Sequence, residues 1–325
     1  EEASVAAGCR PPIYIDRVFE DPAIVRELVE RGAPYRPVQR YFRNEAEYRA
    51  QSGRGRGPMI VAPNFRGDWA YAKPLLDGAE AVLEHEGFRK AAAELFGGGI
   101  VRPHDVYSNL TWQLPFDQGA GHTDVPAFRG IERARYPTWF LSAMGHSGLF
   151  ERERVEIATA VAWFYEGCDG GFCYWPDGPD APPRIHEGAI HNTALVGDND
   201  RMYHRVRPVG ERTDGLLTGL GLDALLEHDG GDAWAIRQDG ETLARFDFRA
   251  LRISLSWKAF VFRDETAMRS YDEHTDDLTL DDVLERFASD FADRGEAFEH
   301  PESLQDPAFV EQLAAAYVHG PTVYA

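Results

Sequence analysis

The stretch from Ile100 to Phe262 is the strongest constraint on the fold. It is cut into short apolar or alternating runs, Thr138 to Ala143, Ile157 to Tyr165, Gly171 to Trp175, Ala194 to Val196, Met202 to Val206 and Leu251 to Phe262, punctuated by Gly, Pro, Asn and Asp. Many short strands at loop-length spacing predict a sandwich or double-sheet roll. The flanks read as helical. Ile13-Tyr14-Ile15 is a short strand; Asp21-Pro22 then starts a helix with Ile24, Val25, Leu28 and Val29 at helical spacing and Gly32 as its stop. A second helix is expected from Gly78 to Phe96, ended by Gly97-Gly98-Gly99. Near the other end, Thr279-Leu280-Asp281-Asp282 fits a capping box with Asp in place of the usual Glu, and Asp306-Pro307 repeats the Asp-Pro helix start. The expected fold class is mainly β with flanking α-helices. It is expected as one domain over residues 1–325: a helical N-terminal flank over 1–99, a β core over 100–262 and helices in 263–325.

Composition excludes some partners. Against 34 Lys and Arg stand 54 Asp and Glu, a formal charge of −20. Nucleic acid and anionic membranes both call for basic patches, so neither is expected. No apolar run reaches the length of a membrane span. Cys9, Cys168 and Cys173 are too few for a disulfide framework, and reduced thiols in a cytoplasmic protein are expected, with no secretory signature in Glu1-Glu2-Ala3-Ser4. Residues Pro34 to Arg56, ending in Ser52-Gly53-Arg54-Gly55-Arg56-Gly57, read as a surface connector or a lid.

The chemistry concentrates at His122-Thr123-Asp124. On an extended strand, residues two apart project to one side. His and Asp on one side are two thirds of a 2-His-1-carboxylate metal site. The triplet alone is weak, because His274-Thr275-Asp276 repeats it. That second copy lies in the polar run Ser270 to Asp277 and reads as a solvated turn. The first follows a Gly-rich loop inside the strand-rich region, and His204 follows it on an alternating segment after the turn Asp198-Asn199-Asp200. Distant strands of a roll can meet, so His204 is the expected third ligand. His191 is the main rival, and His104, His146 and His186 also fall in the β region. Arg252-Ile253-Ser254 then opens a strong strand, with Arg252 and Ser254 on one face, a pairing suited to a buried carboxylate.

Taken in order, His122-Thr123-Asp124, Gly170-Gly171, His204 and Arg252-Ile253-Ser254 resemble the iron(II)/2-oxoglutarate-dependent oxygenase superfamily over about Tyr107 to Phe262. The resemblance implies a double-stranded β-helix (jelly-roll, cupin-like) core and Fe(II) held by His122, Asp124 and His204. It also implies O2 and 2-oxoglutarate as cosubstrates, the far carboxylate of the oxo acid meeting Arg252 and Ser254. Asn109, Trp112 and Gln113 are candidates to orient the histidines, and Asn109 is counted with the cofactor-binding residues. The sequence departs from the family in spacing. Arg252 follows His204 by 48 positions, which implies an insertion from about Gly210 to Arg249 with turns at Gly230-Gly231 and Asp239-Gly240. Arg212 is the competing anchor.

The implied activity is hydroxylation of a small molecule, or its desaturation or cyclisation, with decarboxylation of 2-oxoglutarate to succinate. Asp124 argues against halogenation, which needs its position vacated. Two alternatives stand beside this: a cupin-like metalloenzyme without an oxo-acid cosubstrate, and a non-catalytic jelly-roll binding protein. Arg102, Arg129, Arg133 and Arg135 hint at an anionic substrate group. The cluster Trp163, Phe164, Tyr165, Phe172, Tyr174 and Trp175 reads as core or pocket wall.

Overall fold

The computed structural model describes residues 9–42, 60–116, 119–167, 169–211 and 215–324; most of the expected lid or connector, and also Cys168 and Arg212, lie outside them. Strand β1 (Ile13–Ile15) is followed by helix α1 (Ala23–Gly32). The Asp21 carboxylate accepts the Ala23 N–H at 3.0 Å, and the helix buries Val25, Leu28 and Val29. Three strands come next, β2 (Arg36–Pro37), β3 (Asn64–Tyr71) and β4 (Lys73–Pro74). The single helix expected from Gly78 to Phe96 is two, α2 (Glu80–Leu83) and α3 (Glu86–Leu95). His85 breaks it: its backbone leaves the helical region at ψ 114°, and its Nδ1 accepts the Phe88 N–H at 3.2 Å as the cap of α3.

The β region runs β5 (Ile100–Thr111), β6 (Ala127–Phe128), α4 (Thr138–Ser147), β7 (Arg154–Phe164), β8 (Phe172–Trp175), β9 (Arg184–His186), β10 (Thr193–Gly197), β11 (Tyr203–Val206), β12 (Leu225–Gly230), β13 (Ala233–Gln238), β14 (Glu241–Asp247) and β15 (Arg252–Phe262). The strand expected over Thr138 to Ala143 is therefore helical. Trp139, Phe140, Leu141, Ala143 and Met144 are all buried, so the run is apolar all round and shows no helical period. The main sheet has the order β1-β10-β7-β15-β5-β3-β2, with β4 and β6 at its side. A second sheet, β11-β8-β9, is extended by bridges from His122 to His204 and from Leu114 to Val209. The insertion expected over 210–249 forms the meander β12-β13-β14, with its reversals at Gly230-Gly231 and Asp239-Gly240.

Alternation on β15 sorts its two faces. Trp257 turns toward the N-terminal helices, its indole N–H donating to Leu83 O at 2.8 Å. Arg252, Ser254, Ser256 and Lys258 turn into the space beside the second sheet. Register builds rows across that inner face: Arg252 pairs with Thr111, Ser254 lies between Asn109 and Trp163, Ser256 between Tyr107 and Val161, and Lys258 between Asp105 and Thr159. Helices α5 (Glu265–Glu273), α6 (Leu280–Asp293) and α7 (Pro307–Tyr317) follow. The capping box at Thr279 and Asp282 is present. Residues of α4, α6 and α7 share one apolar cluster that includes Phe140, Phe287, Phe309 and Leu313, each worth about 1.5–3 kcal/mol of burial. Among the described residues no helix is long and apolar enough to cross a membrane.

Candidate metal centre

His122 and His204 are locked side by side by their backbones. The His122 N–H donates to His204 O at 3.0 Å and the His204 N–H returns to His122 O at 2.8 Å, leaving the ring centroids 4.6 Å apart. The Asp124 N–H is held by Asn199 O at 2.7 Å. His122 to Asp124 is not a sheet strand, since His122 alone is bridged, yet its side chains still alternate. All three residues border a cavity, and the Thr123 hydroxyl meets His146, which does not line it. One ligand atom from each of His122, Asp124 and His204 lies within 4.8 Å of the others.

Hydrogen bonding fixes what these atoms offer. His204 Nδ1 lies 2.9 Å from Met202 O, and a carbonyl only accepts, so Nδ1 carries the proton. Nε2 is then turned toward Asp124 Oδ1 at 3.6 Å. A cation shared by that nitrogen and the carboxylate satisfies both: a proton makes them an ion pair, and a divalent metal makes both its ligands. Burial, with His204 and Lys258 nearby, pushes the His122 imidazole down to about 4, so it stays an unprotonated donor near neutrality. Burial works to raise the Asp124 carboxyl, but the Lys258 ammonium and His204 outweigh it and hold it well below the usual carboxylate range.

Lys258 is a residue that sequence reasoning did not single out. Its Nζ donates to Asp124 Oδ2 at 2.6 Å and lies 3.3 Å from Thr159 Oγ1. The signal was its place in the same alternation as Arg252 and Ser254, the one charged residue within an otherwise neutral run from Ile253 to Phe262. His146, on α4, backs the ligands. Tyr203 OH donates to His319 O at 2.8 Å, so the Tyr203 oxygen accepts from His146 Nδ1 at 3.1 Å, and His146 Nε2 accepts from Thr123 Oγ1 at 3.1 Å. Thr123 sits between two of the triad and Tyr203 precedes the third, so one imidazole ties both segments together.

The cavity has a volume of about 1210 Å³ and reaches from the triad to Arg252. Arg252 is 1% exposed. Its Nε donates to Gly170 O, while its Nη2 is buried with no hydrogen-bond partner among the described residues. Burial pushes the guanidinium down to about 10. Trp163 Nε1, in the neighbouring row, is likewise a buried donor without a partner among the described residues. Two orphan donors beside Ser254 and Asn109 form a wall suited to an anionic oxygen pair. Gly170 is needed there. Its φ is +66°, and a Cβ would lie 2.6 Å from Arg252 Cδ.

Other expected residues fall elsewhere. Trp112 stacks on Phe246 at 4.6 Å, and Gln113 Nε2 donates to Glu211 O at 3.0 Å, because Gln113 turns the chain at φ +44°. Neither contact involves the histidines; Met202 O does the orienting. His191 is exposed and meets Phe164 edge-on. His104 pairs with Asp105, and His186 packs on Trp163. His274, of the second triplet, is exposed at a helix end and pairs with Asp277. Arg102 and Arg129 are bound to Asp272 and Asp276, and Arg133 lines the cavity. Of the aromatic cluster, Trp163 and Phe172 line the cavity.

No family model and no curated protein matches the chain. Solved structures similar to it include HygX from Streptomyces hygroscopicus with nickel, 2-oxoglutarate and hygromycin B bound, at 9% identity and a TM-score of 0.39 over 78% of this chain and 83% of that one. A Pseudomonas putida prolyl-4-hydroxylase is 12% identical with a TM-score of 0.35, over 78% of this chain and 94% of that one. An oxidoreductase of the 2OG-Fe(II) oxygenase family from Burkholderia pseudomallei is 14% identical with a TM-score of 0.31, over 76% and 94%. At such identities and TM-scores the likeness carries no functional argument, and the case rests on the side chains.

Proposed function

We propose that this chain is an Fe(II)/2-oxoglutarate-dependent oxygenase acting on a small molecule. One observation carries the proposal: a His-Asp-His cluster opens on the same cavity as a buried guanidinium whose Nη2 has no partner among the described residues. The strand orders support a double-stranded β-helix core, with β10-β7-β15-β5 as one sheet and the segment through Leu114 and His122, then β11-β8-β9, as the other. We take the chain as one domain built on that core, 100–262, with the flanks 1–99 and 263–325 packed around it.

In this proposal His122, Asp124 and His204 hold the metal. Three protein ligands leave positions open on an octahedral ion, as an oxo acid and O2 both require. When bound, the iron couples decarboxylation of the oxo acid, giving succinate and CO2, to oxidation of a substrate C–H. Arg252 and Ser254 take the far carboxylate, and Asn109 and Trp163 flank it in the same row. The buried setting makes that charge-assisted pair strong and leaves water little share in it. Met202 O and the His146 bridge hold the imidazoles in place. The substrate enters past Tyr41, Arg66, Asp68, Tyr71 and Tyr107, which line the same cavity. Its volume of about 1210 Å³ exceeds the roughly 300–1,000 Å³ of a single small-molecule pocket, which leaves room for a substrate beside the oxo acid. Hydroxylation, desaturation and cyclisation all fit this arrangement.

The test is anaerobic addition of Fe(II) and 2-oxoglutarate. A visible metal-to-ligand charge-transfer band is expected. Its absence, with His122 and His204 intact, overturns the proposal in favour of a metalloenzyme without an oxo acid if iron still binds stoichiometrically, or of a non-catalytic protein if it does not.

A further inference from the structure

We propose that Lys258 is a positioning residue that holds Asp124 to one-oxygen coordination and so keeps open a metal position that the oxo acid and O2 need. This rests on the functional proposal above. A carboxylate can bind a metal through one oxygen or two. Here its oxygens are already sorted: Oδ1 faces His204 Nε2 at 3.6 Å, and Oδ2 receives the Lys258 ammonium at 2.6 Å. Lys258 is not a loose surface lysine. It comes from the middle of β15, paired on both sides, with its side chain 14% exposed and its Nζ also 3.3 Å from Thr159 Oγ1. Swinging away would leave a buried ammonium without its counter-ion and Oδ2 with only the long Thr159 hydroxyl contact at 3.5 Å, which is strongly disfavoured. Oδ2 therefore stays tied off. Without Lys258, only the weaker Thr159 contact holds Oδ2, and the carboxylate can turn to chelate through both oxygens. A chelating Asp124 and two imidazoles would fill four of six positions, leaving two where a chelating oxo acid and O2 together need three.

A lysine that merely neutralised a buried Asp would give a different signature, so metal and oxo acid are measured separately on the full chain. Calorimetry with Co(II) alone, then with 2-oxoglutarate added to the Co(II)-loaded protein, is done for wild type, Lys258→Met and Lys258→Arg. Lys258→Met is expected to bind Co(II) at least as tightly as wild type and 2-oxoglutarate about 10- to 100-fold more weakly, the usual scale for losing a group that orients a metal ligand. Lys258→Arg, which keeps a cationic donor, restores most of the oxo-acid affinity. Should Lys258→Met fail to fold, Thr159→Val removes a hold on both the ammonium and Oδ2 and shifts oxo-acid affinity in the same direction by a smaller factor. Unchanged oxo-acid binding in the variant that folds overturns the proposal. So does a loss of Co(II) binding as large as the loss of oxo acid, which marks Lys258 as structural. If wild type itself binds Co(II) but no 2-oxoglutarate, the functional proposal fails first, and the two failures are told apart by that control.

Discussion

Replacing Arg252 by Met separates an anion anchor from a structural arginine. The guanidinium is 1% exposed, lines the cavity and has an Nη2 with no partner among the described residues. In the oxo-acid-bound protein it would make two charge-assisted hydrogen bonds, each worth about 1.5–3 kcal/mol. Their loss totals roughly 3–6 kcal/mol, a weakening on the order of 10² to 10⁴. The ligand-free protein should respond little. Met removes a buried charge that burial already pushes down to about 10, and replacing buried ionic groups by apolar ones of similar volume is often neutral or stabilising by about 1–4 kcal/mol. Against that, Gly170 O loses the Nε donor, at a cost of about 1–3 kcal/mol. The two terms nearly cancel, so Tm without ligand should move by only a few degrees. The assay is calorimetric titration of 2-oxoglutarate into Co(II)-loaded protein, beside thermal unfolding without ligand. A Tm collapse with oxo-acid affinity intact would refute the reasoning, because it would make Arg252 a strut between β15 and the Gly170 loop.

Three further outcomes are expected. Gly170→Ala forces φ +66° on an Ala and puts its Cβ 2.6 Å from Arg252 Cδ, so it should lower stability by about 1–3 kcal/mol and weaken 2-oxoglutarate more than Co(II), as the same titrations will read. Trp163→Phe removes the orphan indole N–H while keeping an aromatic ring; oxo-acid affinity should fall several-fold, by about 1 kcal/mol, beyond the stability loss of about 1–2 kcal/mol, read as Tm, that the smaller buried ring brings with or without ligand. Burial, with His319 and Arg154 nearby, pushes His146 down from 6.5 to about 4, so the folded state resists a proton that the unfolded chain accepts. The stability it contributes is complete above pH 6.5 and is lost as pH falls toward about 4, up to about 3 kcal/mol; His146→Gln should flatten Tm against pH across that window.

The two His-Thr-Asp triplets show what a sequence can and cannot carry. At 122 the backbone is extended and bridged to His204; at 274 it is left-handed, φ +55°, at the end of a helix, and its side chains meet solvent. Side-chain identity is the same, and backbone context separates them, as strand-rich and polar surroundings foretold. Alternation on β15 was legible because strand period is local, which is why Arg252 and Ser254 were placed on one face. Lys258 obeyed the same period, but its partner Asp124 is 134 residues away, and only folding brings them together. His146 was hidden for the same reason, since its two partners belong to different segments. The misassigned run at Thr138 had no period to read, being buried on every side. The break at His85 depended on one side chain accepting the Phe88 N–H three residues on.

The long gap between His204 and Arg252 shows why spacing is a poor measure of a site and register a good one. The chain leaves the core just after Val209, which bridges Leu114, and returns at Arg252, which pairs with Thr111. Departure and return are thus three residues apart on one neighbouring segment. The meander β12-β13-β14 closes on itself between them and attaches by its Leu226 edge to Tyr35. A loop whose ends already meet can lengthen at small entropic cost, about 0.6 kcal/mol for each doubling. Arg252 reaches Gly170, and Val209 Cγ2 stands 3.3 Å from where a Gly170 side chain would begin, so the three are packed together whatever the length between them. Shortening the meander while keeping the Val209–Leu114 and Arg252–Thr111 pairs should therefore leave 2-oxoglutarate affinity unchanged even if Tm falls through loss of the buried Trp234. Shifting β15 by one residue should abolish that affinity, because it turns Arg252, Ser254 and Lys258 away from the cavity together.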